Sequence, residues 1–142
     1  MRISTKGRYG LAIMLALYKS NQSTRALDIA KLLGVSKIYL EQVFTALKNA
    51  KLVLSTKGAN GGYSINPSGD TISAYDILRA TEPALFEATE PSVKSAALLL
   101  EDALQSMVYN PLDAVVVDFL KNVSLKSLAE KATIDTDFMF YI

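Results

Sequence analysis

Residues 55–65 read "STKGANGGYSI", and the meaning of that run decides the fold. Gly58, Gly61 and Gly62 fall within five positions, with Lys57 before them and Tyr63 after. Such a run can cradle a phosphate, make a plain hairpin turn, or form the tip of a DNA-binding wing. The flanks choose between these. "LVLST" and "GYSIN" are short, partly alternating strands, and the Gly and Asn between them permit positive backbone dihedrals, so the segment predicts a β-hairpin. No helix follows the glycines, and neither the dinucleotide nor the Walker spacing is present, which removes the phosphate cradle.

Upstream of the hairpin lie three helical patterns. Ser4 or Thr5 caps the first, whose apolar face holds Leu11, Met14, Leu15 and Tyr18. After the polar loop "KSNQS", Thr24 is the expected cap of "RALDIAKLL", which ends at Gly34. Ser36 then caps "KIYLEQVFTALKNA", with Leu40, Val43, Phe44 and Leu47 spaced by three and four. Two short helices joined by a turn with glycine are a helix-turn-helix. Followed directly by a hairpin, they make a winged helix, and the opening run is its wing.

Composition agrees. The 142 residues hold no Cys and no His, which removes disulfides, thiolate nucleophiles, the usual iron–sulfur ligands and the commonest general base. No paired carboxylate or lysine constellation stands out, so the chain is not expected to be an enzyme or to need a cofactor. Charge interrupts every apolar run before it reaches the length of a membrane span, and the expected location is the cytoplasm. The net charge of +1 hides a split. Residues 1–66 carry ten Lys/Arg against Asp28 and Glu41, a net +8, whereas residues 67–142 carry five against twelve acids, a net −7. The basic half suits a polyanion, although charge alone equally allows a solvated basic face.

In a helix-turn-helix the N-terminal part of the second helix faces base edges in the major groove. Here it offers Ser36, Lys37, Tyr39, Glu41 and Gln42. Gln grips adenine, Glu accepts from cytosine, and Lys serves guanine or phosphate. Tyr39 either packs against the wing or contacts phosphate. Lys57, Gly58, Asn60 and Gly61 are the wing positions expected to touch the minor groove or a phosphate, and Lys6 and Arg8 would lie beside the DNA backbone. Tyr63 is expected to anchor the hairpin on the core. A winged helix that binds only proteins is the alternative reading, and the +8 half argues against it.

The blocks "MRISTKGRYGL", "YLEQVFTALKNAKLV" and "KGANGGYSI", continued by "ISAYDILRATE", resemble the signature blocks of the Rrf-two family of bacterial transcription regulators. The resemblance implies a mainly α fold with a small hairpin: a winged helix over residues 1–81, then a linker and helical dimerisation region over 82–142. It also implies a homodimeric repressor bound to double-stranded DNA, with Ser36, Tyr39, Glu41 and Gln42 in the recognition positions. Cluster-binding members carry three cysteines after the helix that corresponds to residues 73–81. Here that stretch has none, so iron–sulfur sensing does not carry over. That stretch, "PALFEATEPSVKSAALLLEDALQ", is either a remodelled effector pocket or a solvated acidic loop followed by a helix, and the absence of a convergent polar constellation favours the second; the role of residues 84–108 is not given by the sequence.

From Pro111, a favourable first helical residue, the positions Leu112, Val115, Val116, Phe119, Leu120 and Val123 repeat by three and four. They are the expected dimer interface, where the family uses a long helix. Ser124 caps a last helix, "LKSLAEKA". The chain closes on "DTDFMFYI", an apolar tail that either docks on the dimer helices or waits for a partner. The cysteine-metabolism repressors of the family end in a similar aromatic run closing on Ile. That similarity implies that Phe140, Tyr141 and Ile142 enter the substrate site of cysteine synthase, which captures partner C-termini ending in Ile.

Overall fold

A computed structural model describes residues 2–59, 61–92 and 97–132. Its elements in order are α1 (Thr5–Ser20), α2 (Ala26–Leu33), α3 (Lys37–Asn49), β1 (Val53–Thr56), β2 (Gly62–Ile65), α4 (Ala74–Thr81), α5 (Leu98–Leu104), α6 (Asn110–Lys121) and α7 (Leu125–Lys131). Short 3₁₀ turns at Gly69–Thr71 and Pro83–Phe86 flank α4.

The local signals mostly act as their chemistry dictates. Ser4 caps α1 by accepting from the Gly7 N–H, and Ser36 caps α3 by accepting from the Tyr39 N–H. Gly34 ends α2 at φ 67°, left-handed backbone that glycine adopts without steric cost. Ser73 and Asp76 form a reciprocal capping box on α4, and Ser124 caps α7. Leu40, Val43, Phe44 and Leu47 of α3 are fully buried, in one core with Ile13, Met14 and Leu17 of α1 and Ile77 of α4. From the later part of the chain, α7 packs back on α1 and places Leu125 in the same core.

Three features differ from the sequence-based expectations. Thr24 does not cap α2. The capping position is Arg25, which makes no side-chain cap bond. Thr24 instead exchanges both backbone hydrogen bonds with Tyr63, at 2.8 Å each, and so adds a one-residue third strand to the wing. Pro111 lies in the first turn of α6, as expected, but the chain is already helical before it. Residues 98–121 wind on continuously through a π turn at Gln105–Tyr109, where the Asn110 N–H reaches back to the Gln105 carbonyl. Proline lacks a donor and crowds the preceding turn, and the widened π turn just before it accommodates both defects. Finally, the stripe on α6 is two faces. Val116 and Leu120 of α6, with Val123 just beyond it, are half-buried, while Leu112, Val115 and Phe119 are exposed; α6 packs on α4.

Candidate nucleic-acid interface

The wing is held to the helix-turn-helix by stacking and by backbone. β1 and β2 pair antiparallel, with Val53 opposite Ile65 and Thr56 opposite Gly62. The Tyr63 ring stacks on Phe44 of α3, with centroids 4.0 Å apart and planes 13° off parallel, so Tyr63 anchors the hairpin as its sequence position predicted. Gly58 has φ 103°, a region that side-chain-bearing residues rarely enter. At Gly62 a Cβ would lie 2.6 Å from the Thr24 carbonyl oxygen, so only glycine lets the wing root approach the segment before α2 so closely.

On α3, Ser36, Lys37, Glu41 and Gln42 are exposed. Lys37 Nζ lies 3.6 Å from Glu41 Oε1, one helical turn apart, so the acid on this surface is charge-compensated. Tyr39 is half-buried against the core. Its ring meets Tyr9 of α1 edge to face, with centroids 5.6 Å apart. That contact brings the first turns of α1 beside the first turn of α3. There Arg8 is exposed and donates to Thr5 Oγ1 at 3.1 Å, and Lys6 is half-buried. Lys57 and Gly58 are exposed on the hairpin, and the Gly61 N–H closes its turn on the Gly58 carbonyl at 3.0 Å. Asn60 lies outside the described residues.

Sequence reasoning passed over Arg25. Its Nε and Nη2 donate to the two oxygens of Asp28 at 3.0 and 3.1 Å, a bidentate pair on the open surface. The hydrogen bonds from Arg25 hold the Asp28 carboxyl below the usual carboxylate range. Both acids of residues 1–66 are thus paired with a neighbouring cation.

A recognition helix with exposed polar residues, a wing tied rigidly beside it and a basic N-terminal half define a winged helix-turn-helix DNA-binding regulator. Known proteins agree. The Rrf2 family model, described as "Iron-dependent Transcriptional regulator", matches residues 3–131, and the chain belongs to that family. It is 35% identical, over the whole of both chains, to the HTH-type transcriptional regulator CymR of Bacillus subtilis. The solved structure described as "The Structure of CymR (YrzC) the Global Cysteine Regulator of B. subtilis" superposes with a TM-score of 0.77, at 33% identity, covering 92% of this chain and 98% of that one. The HTH-type regulator IscR of Erwinia tasmaniensis is 32% identical over 94% of this chain and 82% of its own.

The iron in the family description does not fit this chain's donors. Iron–sulfur clusters are held by thiolates, with His as the usual substitute, and the sequence contains neither residue. Among the described residues, no three acidic side chains converge to replace them.

Proposed function

We propose that the protein is a homodimeric repressor in the cytoplasm that binds an inverted-repeat operator and controls genes of cysteine or sulfur metabolism. The observation that carries the DNA reading is the exposed α3 surface of Lys37, Glu41 and Gln42, set beside a wing on a half-chain of net charge +8. The two-fold reading is supported by Leu112, Val115 and Phe119, which form a continuous uncovered apolar face. The metabolic reading is supported by the similarity to CymR, whose structure is titled a global cysteine regulator.

Recovery of bound duplexes from a randomised pool tests this reading, with a two-fold-symmetric consensus expected. Affinity should fall steeply with salt, because each neutralised phosphate releases counterion. Lys6→Ala or Lys57→Ala should weaken binding to every sequence and flatten the salt slope by about one unit per lost phosphate contact. Glu41→Ala or Gln42→Ala should instead relax one symmetric pair of base positions, at a cost of about 1–3 kcal/mol in discrimination. An unchanged consensus for both variants would remove them from the recognition surface.

The same reading places Phe140, Tyr141 and Ile142 at a binding site on cysteine synthase, with the Ile142 carboxylate occupying the substrate's place. These residues lie outside the described residues, and the support is the similarity of the run "DFMFYI" to the tails of the cysteine-metabolism repressors. Deleting Ile142 should abolish binding to the organism's cysteine synthase, measured by calorimetry, and the substrate O-acetylserine should compete with the intact tail. Equal binding by the intact and truncated chains would refute the assignment.

A further inference from the structure

We infer that the groove between α2 and the wing seats a backbone phosphate of the DNA, with Arg25 as its ligand and Asp28 as the residue that aims Arg25. The inference rests on the DNA-binding reading above and deepens it. The groove has a volume of about 400 Å³, and its walls include Ser23, Thr24, Arg25, Asp28, Ala59 and Gly61.

Two observations make this groove a constructed feature. Its walls are joined by backbone and by side chains: Thr24 and Tyr63 exchange two backbone hydrogen bonds of 2.8 Å, and the Ser23 and Thr56 hydroxyls lie 3.3 Å apart. The spacing between wing and helix-turn-helix is therefore set before DNA arrives. The cation in it is also fixed in direction. Asp28 takes two of the five guanidinium donors of Arg25, leaving three in the same plane on a side chain that is 64% exposed. A planar fork with free donors is the chemistry that recognises a phosphodiester.

The position in the fold supplies the rest. α3 reads the major groove and the wing reaches the adjacent minor groove, while the first helix of a helix-turn-helix crosses the backbone. A sugar–phosphate strand separates those two grooves, and in this assignment it runs along the cleft between α2 and the wing. Arg25, at the N-terminus of α2, then ties the wing side of the helix-turn-helix to the backbone. It fixes register without selecting a base.

The test uses the full-length protein and a consensus duplex from the randomised pool, with binding followed by fluorescence anisotropy across a salt series. With two grooves per dimer, Arg25→Ala should lower affinity about ten-fold or more on consensus and scrambled duplexes alike. It should also flatten the salt slope by roughly 1.8. A neutral methylphosphonate placed in turn at each backbone position should weaken the wild type at one position per half-site, between the base pairs read by α3 and those under the wing. At that position Arg25→Ala should lose nothing further. Thermal unfolding should be the same for both proteins, since the side chain is exposed. If Lys57→Ala weakens binding but Arg25→Ala keeps wild-type affinity and slope, the phosphate assignment is wrong and the DNA reading stands. If the wild type binds no duplex, both fall.

Discussion

Replacing Val115 and Phe119 together with aspartate is expected to give monomers and to reduce operator affinity by orders of magnitude. These side chains are 65% and 66% exposed, beside Leu112 at 55%. Burying such a residue fully against a partner contributes about 1.5–3 kcal/mol. Two sites on each of two protomers are enough to decide whether a dimer forms. Four carboxylates facing one another across a two-fold axis would add repulsion to the lost burial. The DNA consequence follows from linkage, because joining two half-site binders raises avidity by roughly 10²–10⁴. Sedimentation velocity reads the first effect and anisotropy the second. Val116→Asp is the informative contrast. Val116 is half-buried within the protomer, so that variant should lower the melting temperature rather than simply dissociate the dimer. A Val115/Phe119 double variant that stays dimeric and binds tightly would put the interface elsewhere.

The choice of Val115 over Val116 shows where sequence stops being informative. A spacing of three and four marks Leu112, Val115, Val116, Phe119 and Leu120 as apolar, but it cannot divide a wide stripe between the chain's own core and an outer face. That division depends on where α4 lies, which is a tertiary fact. Thr24 misled for a similar reason. A threonine before an apolar helical pattern has the chemistry of a cap, and nothing local reveals that its backbone will be claimed by Tyr63. Pro111 reads as a helix start because proline suits a first turn, yet a π turn carries the helix through it.

The DNA-reading core was legible because its signals are local. Gly34, Ser36, the buried positions of α3 and the glycine-rich hairpin each depend on a few adjacent residues. Tyr63 was readable as an anchor, since an aromatic on a short strand beside glycines has one apolar surface to cover. The partner of Tyr39 was not, because the wing and Tyr9 of α1 offer equivalent aromatic chemistry. Arg25 escaped notice because its ion pair looks like an ordinary surface contact until the wing is seen to form the opposite wall of the groove.

Phe44→Ala should produce the largest loss of stability of any single change in the DNA-reading unit. Phe44 is fully buried, belongs to the recognition helix and carries the Tyr63 ring on its face. Truncating such a residue costs about 3–5 kcal/mol through lost transfer and the cavity left behind. The lost ring stack contributes roughly 0.5–1.5 kcal/mol of pairing energy beyond area burial. Against a total of about 5–15 kcal/mol for a typical domain, this is a large fraction of the margin. The effect should also be uneven. Tyr63 would keep its backbone bonds to Thr24 but lose the surface beneath its ring, so the wing should loosen before the helices separate. Hydrogen exchange at the amides of Tyr63 and Thr24 should therefore accelerate more than at Ile13 or Met14, in the core of α1. Tyr63→Leu, which keeps Phe44 in place, should show the wing effect with a much smaller fall in melting temperature. Uniform acceleration in Phe44→Ala, or a melting temperature within a degree or two of wild type, would mean that the stack does not hold the wing.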